Sequence, residues 1–157
     1  MEKINLMKIK LLCLIFLFFG FHACSSKKDD DRTDLIEKRS VNIFGNLPNF
    51  EFTDQSDETF GYNDLLGKVW VADFIFTRCA GTCPMQTIEK VKMQKQLEQH
   101  FDKDKIHLVS FTVDPENDTP AALKKYAETH SANLDQWSFL TGEREDLWNL
   151  SSNGFKL

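Results

Sequence analysis

The chain predicts an α/β layer fold built on a parallel sheet, and three observations carry that reading. Residues 69–76 are nearly all apolar over the length of a strand, the pattern of a strand covered on both faces, and 106–113 read as a second strand of the buried type. A proline suited to opening a helix, Pro84 or Pro120, follows each run at short distance. The resulting order of strand, helix, strand, helix, strand, helix calls for right-handed crossovers between parallel neighbours.

A length of 157 residues supports one modest domain. Residues 1–23 stand outside it. Lys3, Lys8 and Lys10 make a basic start, and the apolar run 11–21 is too short to span a bilayer comfortably. Phe21-His22-Ala23-Cys24 then reads as a lipoprotein cleavage site, with a small residue directly before the cysteine to be acylated. Phe21 departs from that pattern, since an aliphatic residue is commoner there; an ordinary signal peptide or an uncleaved amphipathic anchor is the alternative. Acylation of Cys24 would place the protein in the cell envelope, lipid-anchored, with its domain facing the periplasm or the exterior, where disulfides persist. Loss of three lysines and one glutamate with the signal takes the net charge from −5 to −7. That balance excludes an electrostatic footprint for nucleic acid. Residues 24–40 are polar and charged, as expected of a solvated tether.

The domain is expected over residues 41–157. Phe50-Glu51-Phe52-Thr53 alternates apolar and polar side chains, and Asp54-Gln55-Ser56-Asp57 supplies a turn before Thr59-Phe60, which predicts a small hairpin. Leu65, Leu66 and Gly67 close a turn before the first buried strand, whose apolar run is interrupted by Asp73. Pro84 is expected at the first position of a helix reaching Phe101, with Met85, Ile88 and Val91 on one apolar edge and Met93, Leu97 and Phe101 on another. After the second strand, Asp118-Thr119-Pro120 predicts a capped helix to His130 with Leu123, Tyr126 and Ala127 inward. Residues 137–140 form a short third strand. Thr141-Gly142-Glu143 opens a helix containing Leu147, Trp148 and Leu150, and Gly154 resembles its stop.

Cys79 and Cys83 lie where the first strand ends and the first helix begins. With Cys13 in the signal and Cys24 acylated, they are the two thiols left. As a structural staple their bond would be weak, because closing a five-residue loop contributes only about 2 kcal/mol. Cys79 in the loop and Cys83 at the helix start would instead put sulfur near the free N–H groups and positive dipole end of the first turn. That placement favours thiolate, the nucleophile of disulfide exchange and a soft ligand for Cu(I). Asp114, directly after the second strand, sits at the same carboxyl edge of the sheet, where sites form in open α/β folds; turn chemistry explains it equally well. Capping accounts for Asp118, Thr119 and Pro120. None of the histidines reads as a ligand: His22 leaves with the signal, and His100, His107 and His130 read as surface or packing residues. Met85, Trp70, Trp137 and Trp148 read as packing.

The stretch Phe74-x-Phe76-Thr77-x-Cys79-x-x-x-Cys83-Pro84 resembles the Sco/SenC family of copper-binding, thioredoxin-like proteins. So do Thr112-Val113-Asp114-Pro115-Glu116-x-Asp118-Thr119-Pro120, Leu123 with Tyr126, and Trp137-Ser138-Phe139-Leu140-Thr141-Gly142, in the family's order and spacing. The resemblance implies a thioredoxin-like fold with an N-terminal β-hairpin, whose C-terminal strands and helix are missing here. It implies copper, as Cu(I) or Cu(II), bound by Cys79 and Cys83 and passed to the dinuclear copper site of cytochrome c oxidase. The same pair would cycle between dithiol and disulfide, Asp114 would lie behind the ligands, and a histidine beyond Leu157 would complete the site. The competing expectation is an exported thiol–disulfide oxidoreductase acting on partner cysteines. A peroxidase relative is disfavoured because the sequence around Cys79 lacks the expected upstream Pro and Thr spacing, and an interaction module with an incidental disulfide is a third reading.

Overall fold

The computed structural model describes residues 45–157; the expected signal, the tether and Cys24 lie outside the described residues. One compact unit covers Phe44–Leu157. The expected hairpin is present as β1 (Glu51–Thr53) paired antiparallel with β2 (Thr59–Gly61), Phe52 standing opposite Phe60. Asp54 organises the turn by accepting from the Ser56 and Glu58 amides. A 3-10 turn, Tyr62–Leu65, follows, and the chain then reverses at Gly67, whose φ of +75° is costly for a residue with a β-carbon.

The main sheet has the order β3 (Val69–Ile75), β4 (Ile106–Thr112), β5 (Trp137–Leu140), parallel throughout. The helices are α1 (Thr82–His100), α2 (Pro120–Thr129) and α3 (Arg144–Asn149), the last running into a π turn at Leu150–Phe155. Every residue of β4 and β5 is buried. On one face Leu108, Trp137 and Phe139 pack with Ile75, Val91, Leu123 and Tyr126. On the other, Val109, Phe111 and Leu140 pack with Phe52, Leu65, Leu147 and Leu150. The hairpin joins the sheet through a bridge in which Thr53 and Thr141 exchange amide hydrogen bonds of 2.9 and 2.8 Å.

Four expectations need correction. β3 is not covered on both faces: Val69 (73% exposed) and Val71 face solvent rather than a second layer. The helix α1 begins two residues before Pro84, which therefore sits third; that position still lies within the first turn, where the missing N–H breaks no helical bond. Its buried face is Cys83, Thr87, Val91 and Gln94, while Met85, Ile88 and Phe101 are exposed. The inward face is half polar because its polar members find partners: the Thr87 hydroxyl and the Tyr126 hydroxyl lie 2.8 Å apart, and Gln94 exchanges hydrogen bonds with the Asn133 backbone. Finally, Gly154 lies inside the π turn against Leu47 and Pro48, Lys156 takes the left-handed cap at φ +63°, and Trp148 is three-quarters exposed.

Candidate functional site

The chain leaves β3 at Ile75 and turns at once, the Cys79 amide donating to the Phe76 carbonyl at 3.2 Å. The turn is held from below by Asp118. This carboxylate is fully buried and accepts from the Thr77 amide (3.1 Å), the Thr77 hydroxyl (2.5 Å) and the Thr112 hydroxyl (2.5 Å). One side chain thus ties the cysteine loop to the end of β4. The N-cap of α2 is Thr119, which accepts from the Ala122 amide, so Asp118 serves the cysteine loop and not the helix. The sequence expectation had assigned it to capping.

Gly81 is the N-cap of α1 and has no side chain to accept the free amides of the first turn. Cys79 takes that place. A β-carbon on Gly81 would stand 3.9 Å from its Sγ, so the sulfur lies over the helix start. The Cys83 thiol donating to Cys79 holds the Cys79 thiol below its ordinary range, aided by the Cys83, Gly81 and Thr82 amides. Burial, and then the hydrogen bond to Cys79, push the Cys83 thiol up. Both thiols are free, Cys79 partly exposed and Cys83 buried. A nucleophilic outer sulfur and a protonated inner one are therefore built from the same helix start.

Asp114 meets the loop from the β4 side. Its carboxylate accepts from Asn117 Nδ2 (2.9 Å) and pairs with Arg78 Nη2 at 3.0 Å, one residue before Cys79. The Asn117 hydrogen bond and then the Arg78 guanidinium hold its carboxyl below the usual carboxylate range. The two strand-end clusters expected to share an edge do so. Arg78 and Thr77 were missed as the connectors; Thr77 two residues before the first cysteine, with a buried carboxylate available across the sheet, was the legible signal. His107 is buried, bonded to Ser138 Oγ at 2.9 Å and stacked on Phe60; His130 packs at a tilt against Tyr126 and bonds its backbone carbonyl. Met85, expected in the core, is exposed instead. Among the described residues no group of three or more His, Cys, Asp or Glu side chains converges as a metal site.

A parallel sheet whose first βα junction carries a dithiol over a helix N-terminus, preceded by a β-hairpin, defines a thioredoxin-like thiol protein. The SCO1/SenC family model matches residues 44–157, and the chain belongs to that family. A SCO1 protein homolog of Bacillus subtilis is 43% identical over 94 residues, covering 59% of this chain and 47% of its own length. Among solved structures, a SCO1/SenC family lipoprotein of Bacillus anthracis is 41% identical with a TM-score of 0.66, covering 71% of this chain and 66% of its own. BsSco, a member of the Sco family of cytochrome c oxidase assembly proteins in which a disulfide switch has been identified, is 37% identical with a TM-score of 0.65, covering 71% and 65%. Copper-bound ScoI of Bradyrhizobium japonicum is 25% identical with a TM-score of 0.62, covering 71% and 68%. The chain thus spans about half the length of the B. subtilis relative and about two thirds of the solved ones.

Proposed function

We propose that this protein is a membrane-anchored copper chaperone of the cell envelope, which holds copper through Cys79 and Cys83 and delivers it to the copper-site subunit of cytochrome c oxidase. The observation that carries the reading is the sulfur pair at the start of α1: one partly exposed thiol biased toward thiolate and a buried one biased the other way. Two thiolates suit Cu(I), and two protein ligands leave positions open to a recipient's own ligands, which a handover requires. Copper in a ScoI structure and oxidase assembly by the Sco family support the cargo and the destination. Asp114 stands behind the metal ligands, acting through Arg78 on the loop that carries Cys79. Acylated Cys24 supplies the anchor.

The test is titration of the reduced chain with Cu(I) against a competing chelator. Stoichiometric binding lost in Cys79→Ser and in Cys83→Ser is expected; binding indifferent to both overturns the reading. Cys24→Ser should move the protein from the membrane fraction to the soluble one, and retention in the membrane removes the lipid anchor.

The unequal thiols also favour a second reading, an exported thiol–disulfide oxidoreductase. Cys79 thiolate would attack a partner disulfide to form a mixed disulfide. Cys83 would then close on Cys79, its proton passing to the departing partner sulfur, so that the partner gains two thiols and this pair becomes a disulfide. Turnover of a disulfide-bonded peptide by the reduced chain is the deciding assay. No turnover, with a very low reduction potential for the pair, removes it.

A further inference from the structure

Beside the cysteine loop lies an open groove of about 320 Å³ that neither reading uses. One wall is a stripe of α2, where Ala122, Lys125, Tyr126 and His130 stand at i, i+3, i+4 and i+8 on one side of the helix. The facing wall is Thr77, two residues before Cys79, and Pro84, directly after Cys83. Neither cysteine lines the groove, but both ends of the segment that carries them do.

The groove is firmly built. Thr87 donates its hydroxyl proton to the Cys83 carbonyl at 2.9 Å, so the buried Tyr126 is the donor in the 2.8 Å contact between the two hydroxyls. Those two bonds join the α2 wall to the backbone of Cys83. On the other wall Thr77 is tied down by Asp118. His130 packs on the Tyr126 ring, 4.3 Å between centroids, and its Nδ1 donates to the Tyr126 carbonyl at 2.9 Å, since a carbonyl only accepts. Its Nε2 is left without a partner among the described residues.

The charge of the groove is opposite to that of the chain. Asp and Glu outnumber Lys and Arg by 24 to 19, yet no carboxylate lines the groove, and the side chains there that can carry positive charge are Lys125 and His130. Lys125 is exposed and makes no ion pair among the described residues. Asp118, behind Thr77, is buried and occupied by its own donors. Pro84, Ala122 and the Tyr126 ring supply apolar surface. A concave strip of apolar wall with a few placed polar groups suits the side chains of a peptide segment rather than the flat face of a bilayer.

We propose that this groove docks the protein on which Cys79 and Cys83 act, by receiving an acidic, extended segment that lies beside the partner's own cysteines. Lys125 meets the carboxylates of that segment, the Tyr126 ring and Pro84 cover its apolar parts, and the segment leads on to Cys79, the partly exposed sulfur. Lys125 steers and holds the partner; it takes no part in the sulfur chemistry. The inference rests on the function proposed above, and applies to copper transfer and to disulfide exchange alike, since either needs the partner's sulfurs brought to this loop.

The test uses the reduced full chain and two synthetic peptides, each with a single cysteine held as a mixed disulfide with thionitrobenzoate. One peptide carries several Asp and Glu residues next to the cysteine, the other Asn and Gln at the same positions. Cys79 attacks the disulfide, keeps the peptide sulfur and releases coloured thionitrobenzoate. Cys83 then closes on Cys79 and its proton passes to the departing peptide thiol, so the peptide disulfide is reduced to two thiols as the protein pair is oxidised. The parent should react about fivefold faster with the acidic peptide than with the neutral one. Lys125→Glu should bring that ratio to one or below, and Lys125→Arg should restore it. Lys95→Glu makes the same charge change at an exposed α1 lysine that lines no part of the groove, and should keep the parent ratio. A parent without preference, a preference that survives Lys125→Glu, or an equal fall in Lys95→Glu overturns the docking inference; the thiol reading then stands, because both peptides still react. Reaction with neither peptide removes the sulfur pair as the functional site, and the inference with it.

Discussion

Asp118→Ala is the sharpest single perturbation of the site, because it removes the side chain that fastens the cysteine loop without touching either thiol. Asp118 is fully buried, and three donors converge on it: the Thr77 amide, the Thr77 hydroxyl and the Thr112 hydroxyl. Alanine leaves all three without that acceptor. An orphaned buried donor costs about 1–3 kcal/mol, and the Thr77 hydroxyl escapes part of this because it sits on a part-exposed residue and can turn to solvent. Two donors at the middle of that range give about 4 kcal/mol, a large share of a marginal total of roughly 5–15 kcal/mol. Asp118→Asn keeps the shape and one acceptor oxygen, so it should cost about 1–2 kcal/mol. Urea unfolding followed by tryptophan fluorescence measures both, read as a lowered midpoint at unchanged slope. Thiol alkylation in native buffer supplies the local readout: the Cys83 thiol, protected by burial in the parent, should become several-fold more reactive once the Thr77 tie is gone. A loss below about 1 kcal/mol in Asp118→Ala, with Cys83 still protected, would refute the argument that this carboxylate organises the loop.

Stability should also fall in mild acid through His107, whose pKa burial, aided by the Lys68 charge, pushes down to about 4 from 6.5. The unfolded chain binds this proton first, so the contribution is complete above pH 6.5 and is lost as the pH falls toward 4, about 3 kcal/mol in all; a urea midpoint equally pH-dependent in His107→Gln over that window would contradict it. Alkylation at neutral pH should label Cys79 at least about tenfold faster than Cys83, since thiolate fraction and exposure both favour it; mass mapping of partly labelled protein reads the order, and faster labelling of Cys83 refutes the assignment. Gly61→Ala should destabilise the hairpin by about 1–3 kcal/mol, because the new β-carbon would lie 2.6 Å from the Phe50 carbonyl oxygen, a backbone atom that cannot step aside; thermal unfolding indistinguishable from the parent would show that β1 and β2 separate freely.

Patterns of period two, apolar runs and turn residues made the elements legible. The β4 and β5 runs were read correctly as buried strands, because a strand covered on both faces is mostly apolar and the few polar residues in them, Ser110 and His107 among them, find hydrogen-bond partners inside. The same rule misled for β3, an apolar run whose first half lies partly in solvent, Val69 and Val71 being exposed. The α1 helix misled in the opposite way. Its apolar residues suggested a core face through Met85 and Ile88, yet Thr87 and Gln94 are the ones buried. Hydrophobic periodicity cannot anticipate that, since a buried polar side chain is tolerated only once a specific partner from another element is in place. The candidate site follows the same division. Cys79 and Cys83 announced themselves by spacing and by the helix start that follows; Asp118 did not, because its partner in the cysteine loop, Thr77, lies 41 positions away in the chain.

What the amino-acid order determined alone was local: where strands stop, where helices start, and that two sulfurs meet the open end of a helix dipole. Those features depend on neighbours a few residues apart, whose steric and capping preferences act whatever the rest of the chain does. What tertiary structure decided was which sulfur ionises the more readily and what steadies the loop beneath it. The first depends on the burial that the fold imposes on Cys83, and the second on hydrogen bonds between residues tens of positions apart, energies that exist only once the sheet has brought them together.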